Sequence, residues 1–290
     1  MKTGDFSSDI FIESDSILEE LATNLQFTEG PIWNSKTASL LFSDIPANRI
    51  YQWVAPNNLT VFREPSGNSN GLVFDHEGGL LICEHGNRRL ARIGVDGAYT
   101  VLVDRFRESR LNSPNDSVVR SDGMIFFTDP PYGIQPSEQE LPFQGVFSLN
   151  PENQELTLLV DDFDRPNGLA FSPDEQRLYI ADSSVTRRHV RVFDVQTDGR
   201  LTNGRVFATI HSPLPGNPDG MKMDVEGHLY VAAAGGVWIY APNGTQVGLI
   251  PTPIQPSNCA WGESAWQTLF ITARPSVYRI QLSITGTGKP

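Results

Sequence analysis

Apolar and polar positions alternate with a period of two along most of the chain, the spacing of strands buried on one face. Leu72 and Phe74 are followed, after a turn, by Leu80 and Ile82. Met221 and Met223 are followed in the same way by Leu229 and Val231. Few windows show a 3.6-residue period. The best of them, residues 15–25, reads equally well as a strand. The strand pairs also recur. Each copy opens on Asn, Asp or Glu, often followed by Gly, and runs through alternating apolar residues to a turn such as Asp-Gly, Ser-Gly or Pro-Asp-Glu. It then closes with a second apolar strand that ends in a polar residue.

Six copies open at Glu29, Asn70, Asn115, Asn167, Asp219 and Asn258, with steps of 39 to 52 residues. Such steps hold four short strands and their turns. A fixed period of this size points to a repeat architecture. Six four-stranded copies predict an all-β, six-bladed β-propeller occupying residues 1–290 as one domain. A solenoid is the alternative, and it normally shows shorter, more regular repeats. The sixth copy has room for about three strands, so the N-terminal segment, residues 1–28, is expected to supply the fourth and close the ring.

Composition adds exclusions. Gly 25 and Pro 21 suit many turns and work against long helices. The net charge of −12, with no Lys/Arg-rich run, argues against nucleic acid or an acidic membrane surface as partner. Two cysteines, Cys83 and Cys259, cannot make a disulfide scaffold or a thiolate zinc site. No run of 18 apolar residues exists, and the first residues lack an apolar signal core. These features read as a soluble, cytoplasmic protein, or a periplasmic one if a signal peptide has been removed. Monomer and small homo-oligomer are both compatible.

In a propeller the residue opening each innermost strand sits at one mouth of the central channel, so the six opening residues converge. All six carry a side-chain oxygen. Turn chemistry accounts for Asn-Gly and Asp-Gly, and it suffices for Asn70 and Asn258. It does not account for Glu29, a poor turn residue that is costly to bury unpaired. Glu29, Asn167 and Asp219 are therefore read as ligands of one divalent cation. An all-oxygen set suits a hard ion, Ca²⁺ first, with Mg²⁺, Mn²⁺ or Zn²⁺ as alternatives. The five histidines fall outside the opening positions, which argues against a His-rich zinc site.

At these residues the sequence resembles the SMP-30/gluconolactonase family, also called regucalcin-like, in its bacterial gluconolactonase branch. The phrases are EGPIW (29–33), RLNSPND (110–116), FTDPPYG (127–133), RPNGLAFSPDE (165–175), LYIADSS (178–184) and PDGMKMD (218–224), in order and at propeller spacing. The resemblance covers about residues 25–285. It implies a six-bladed propeller with one divalent metal that hydrolyses sugar lactones to aldonic acids. It carries Glu29, Asn167 and Asp219 over as metal ligands, Asn115 as a substrate contact and Asp219 as general base. Animal members carry an Arg two residues before that Asn. Here the position is Ser113, and the nearest arginine is Arg110.

Lactone hydrolysis needs a polarised carbonyl, an activated water and a stabilised oxyanion. The cation serves the first and third, and Asp219 takes the proton of the water. No GxSxG occurs, and no Ser–His–Asp grouping falls where the repeat would assemble it. His85, Asp129 and Tyr132 follow second strands and are placed as substrate-pocket residues. For His85 a polar loop residue is the competing reading, and for Tyr132 simple packing. Asp182, at the equivalent place in blade four, reads as a supporting group or a turn cap. Two further functions remain open: a calcium-dependent propeller hydrolase of phosphotriesters, and a metal-stabilised binding propeller with no activity.

Overall fold

The structure is a computed structural model and describes Phe11 and residues 16–288. Six four-stranded antiparallel sheets succeed one another along the chain. Their innermost strands are Thr28–Asn34, Ser69–Phe74, Ser117–Val119, Pro166–Phe171, Met221–Met223 and Asn258–Gly262. Each contacts its two neighbours, and the last returns to the first, so the sheets form a closed six-bladed β-propeller. Among the described residues the only helical turn is the 3₁₀ segment Pro136–Glu138, and no helix is long and apolar enough to cross a membrane.

The ring closes as the sequence predicts. Blade six has three strands of its own, Asn258–Gly262, Thr268–Ala273 and Ser276–Gln281. Its fourth is Glu19–Ala22, antiparallel to Ser276–Gln281. Within the window 15–25 that read as either helix or strand, Glu19–Ala22 is a strand, and residue 15 lies outside the described residues. Arg279 donates to Glu19 across this pair at 2.7 Å and also holds Glu263 at 2.8 Å.

Alternation does more here than separate core from solvent. Ser39–Asp44 and Leu80–Glu84 are buried along their whole length. Leu40 and Phe42 pack toward blade six, while Leu41 packs toward blade two with Leu80 and Ile82. Leu81 and Cys83 face blade three. Each second strand is a wall shared by two blade junctions, so both of its faces are apolar. Among the described residues one hydrophobic cluster fills each of the six junctions. The outermost strand Asn58–Arg63 is mostly exposed.

Blade packing dictates the glycine that follows an opening residue. A Cβ on Gly30, at φ +51°, would lie 2.0 Å from the Asn70 carbonyl oxygen. One on Gly168 would lie 2.4 Å from that of Asp219. At these two positions neighbouring inner strands touch backbone to backbone at the hub, and only glycine leaves room.

Candidate functional site

A cavity of about 770 Å³ opens at one mouth of the channel. Five of the six opening residues line it: Glu29, Asn70, Asn115, Asn167 and Asp219. Glu29, Asn115 and Asn167 are buried, and Asp219 is partly exposed to the cavity. His85 and Tyr132 also line it. The structure therefore brings together six of the seven residues expected at the site.

Asp129 is the exception. Its carboxylate is fully buried and accepts the backbone N–H groups of Asn112 and Ser113, both at 2.7 Å. It does not line the cavity, so its placement in the substrate pocket is corrected. The same bond pattern recurs in two other blades. Asp182 accepts from Asp164 at 3.2 Å and Arg165 at 3.0 Å, and Asp44 accepts from Gln26 and Phe27, both at 3.0 Å. In each case the second amide lies two residues before an opening residue: Asn115, Asn167 and Glu29. Three buried carboxylates thus clamp the loops that deliver three of the cavity's polar side chains. A buried carboxylate with two N–H donors is a strong, directional tie.

Asn70 and Asn258, read as turn residues, do more than turn the chain. The Asn70 amide faces His85 Nε2 at 3.1 Å. Burial lowers the His85 pKa to about 4, so the ring is neutral. Its Nε2 then accepts from Asn70, and the proton sits on Nδ1. The Asn258 amide donates to Glu29 Oε2 at 3.0 Å and, across the channel, to Asp116 Oδ2 at 3.3 Å.

Asp116 is the residue that sequence reading passed over. It follows Asn115, at the position that is glycine in four blades: Gly30, Gly71, Gly168 and Gly220. That break in the repeat was the available signal. Asp116 is buried beneath the cavity, where it adds a third carboxylate to Glu29 and Asp219. Burial, offset by the Gly30 N–H bond and reinforced by Asp116, pushes the Glu29 pKa up to about 7. Burial first, then the charges of Glu29 and Asp116, hold Asp219 well above the ordinary carboxylate range. Burial raises Asp116 too, with the Lys222 charge opposing.

Crowded acids of this kind favour a cation between them. Among the described residues no three His, Cys, Asp or Glu side chains form a ready-made metal cluster. The set that fits here is different: the carboxylates of Glu29 and Asp219 with amide oxygens such as that of Asn167. The Asn167 side chain stands close enough to Asp219 to lower its proton affinity. Such a set suits a hard divalent ion. Ser113 and Arg110 do not reach the cavity. Ser113 is buried and accepts the Gly133 N–H at 3.0 Å, while Arg110 donates to the Asn87 carbonyl at 3.2 Å.

Comparison with known proteins gives a consistent picture. A family model described as SMP-30/gluconolactonase/LRE-like region matches residues 27–274. A gluconolactonase of Zymomonas mobilis is 35% identical over 303 residues, covering 96% of this chain and 85% of its own. The solved structure of a gluconolactonase from Xanthomonas campestris superposes with a TM-score of 0.87 at 36% identity, covering 94% of this chain and 91% of that one. Regucalcin of Xenopus laevis is 27% identical over 84% of this chain and 82% of its own.

Proposed function

The chain belongs to the SMP-30/gluconolactonase/LRE-like family, and we propose that it is a lactone hydrolase that opens sugar lactones to aldonic acids with the help of one divalent cation. The observation that carries this reading is the convergence of Glu29, Asn115, Asn167 and Asp219 on one cavity at the propeller hub. Gluconolactonases related along nearly the whole chain support the reaction class.

Glu29, Asn167 and Asp219 would hold the ion, calcium by the chemistry of its donors. When bound, the cation supplies Lewis acidity toward the lactone carbonyl and the charge that develops on it. Asp219 accepts the proton of the attacking water. Burial and the neighbouring acids raise its proton affinity and the ion lowers it, so the two effects oppose. Glu29, fixed by the N–H of Gly30 and the amide of Asn258, contributes charge and position. Asn115 holds the lactone. Tyr132 forms a wall, with its hydroxyl 3.5 Å from the Asn167 amide, and neutral His85 offers a hydrogen bond rather than a charge.

The test is hydrolysis of glucono-δ-lactone above its spontaneous rate, before and after chelation and on return of Ca²⁺, Mg²⁺, Mn²⁺ or Zn²⁺. A fluorophosphate is assayed beside it. Enzymatic lactone opening that is lost on chelation and restored by an ion supports the reading. No acceleration of lactone opening with any ion refutes it, and turnover of the fluorophosphate alone would put the phosphotriesterase in its place.

A further inference from the structure

Asp116 breaks the repeat, and a second break lies below it in the channel. Inner-strand residues two or three places after an opening residue include Ile32, Leu72, Val118, Leu169 and Lys222. All five line one narrow space of about 90 Å³, beneath the opening residues. Four are apolar and the fifth is a lysine. Met221 and Met223 pack into the junction of blades four and five, so Lys222 between them turns to the other side.

The Lys222 ammonium donates to the Met221 carbonyl at 3.2 Å, and among the described residues no carboxylate is in direct contact with it. Glu175, the other charged residue lining the space, holds the Ser121 N–H at 3.1 and 3.2 Å. Lys222 is partly buried. A cation in a largely apolar space is costly unless nearby charge compensates it.

That charge lies in the layer above. The Asp116 carboxylate rests against Gly71, where a Cβ would come within 2.6 Å of its Oδ1. Asn258 ties it to Glu29, donating to the two acids at 3.3 and 3.0 Å. Burial raises the proton affinity of Glu29 and Asp116, and the Lys222 charge opposes the rise in both. At Asp116 it is the strongest opposing influence.

Ionised, Glu29, Asp116 and Asp219 carry three negative charges. Lys222 returns one and leaves two. A divalent ion brings this layer to neutrality, whereas a trivalent ion overshoots. The charged rim residues Asp164, Arg165 and Arg274 are exposed. Arg274 acts on Asp219 from there, through water that screens it.

We propose that Lys222 is the internal counter-charge of Asp116, which leaves the hub two uncompensated carboxylates and so sets it for a divalent rather than a trivalent cation. This rests on the one-cation reading of the site and assigns the residue that fixes the ion's valence.

The wild type, Lys222→Met, Asp116→Asn and the double variant are stripped of metal and titrated by calorimetry with Ca²⁺ and with La³⁺, an ion of similar size and one more charge. Lys222→Met keeps the length of the side chain and removes its charge. It should shift the ratio of La³⁺ to Ca²⁺ affinity by about tenfold toward La³⁺, the scale of one added charge at about 10 Å in a partly screened interior. The double variant should return the ratio to that of the wild type, and Lys222→Arg, which keeps the charge, should never leave it. A ratio unmoved in Lys222→Met, or moved equally in Lys222→Arg, overturns the proposal and leaves the cation reading intact. Melts of the four stripped proteins give a second readout. Asp116→Asn should be more favourable in the Lys222→Met background than in the wild type, by about 2–4 °C in Tm. If the wild type binds neither ion, the cation reading fails and the assignment of valence falls with it. The counter-charge role then stands only if the melts are non-additive, and additive melts overturn it.

Discussion

The Asp182 carboxylate accepts the backbone N–H of Arg165 at 3.0 Å, two residues before Asn167 reaches the cavity. Asp44 stands in the same relation to Phe27 and Glu29, and Asp129 to Ser113 and Asn115. Each of these three opening residues thus inherits its position from a carboxylate on the second strand of its own blade.

Replacing Asp182 with Asn keeps the volume but turns one acceptor into a donor facing N–H groups. The Asp182→Asn protein should lose about 2–3 kcal/mol of stability, the scale of lost hydrogen bonds to a charged acceptor. Its lactone turnover should fall as well, because Asn167 is no longer fixed. Denaturant titration of this variant and of Asp44→Asn measures the effect. A change within about 0.5 kcal/mol, ordinary for a surface substitution, would rule out the clamp.

At the site itself, Asp219→Asn keeps an oxygen ligand and removes the proton acceptor. Turnover at saturating metal should drop by about 10²–10⁴, as for loss of a general base. Glu29→Gln removes charge, so its main effect should be weaker ion binding, recovered in part by excess metal. Asn115→Ala should act mostly through substrate positioning. Rates measured against metal concentration separate the three. Near-normal turnover of Asp219→Asn at saturating ion would falsify the general-base role.

Burial pushes both Glu29 and Asp129 up to about 7. An acid whose folded pKa is raised binds its proton more tightly in the folded chain. Its stabilising contribution is present at low pH and is lost as pH rises through about 7. The Tm of metal-stripped protein should therefore decline between about pH 5 and pH 8. Added Ca²⁺ should raise Tm more at the upper end, where Glu29 is ionised and protons no longer compete. Thermal melts with and without the ion provide the check. A Tm of the stripped protein that climbs across this window contradicts the assignment.

Asp116 adds charge beneath the candidate ion without lining the cavity. Asp116→Asn should weaken metal affinity by about tenfold, the usual effect of losing a group behind the ligands. It should also lower the pKa of Glu29 and Asp219, because one repelling charge is gone. Ion titration followed by calorimetry at two pH values reports both effects. Unchanged affinity would reduce Asp116 to a packing residue.

The sequence by itself determined the architecture. Strand alternation and turn residues are local signals, and their sixfold recurrence fixed the blade count, the N-terminal closure and the six opening residues. It also marked Glu29 as anomalous, since no turn needs a glutamate there. Tertiary structure alone decided which side chains meet. Asn258 reaches Glu29 across 229 positions of sequence and Asp116 across 142, and no local pattern encodes a contact at that separation. Asp129 and Tyr132 fall in the same phrase, yet the first turns inward to hold two amides and the second faces the cavity. Their direction follows from which backbone donors the folded loop leaves unpaired. Arg165 and Arg274 are likewise more than a hundred residues apart. Both line the cavity only because the ring gathers the loops of blades four and six around one channel mouth.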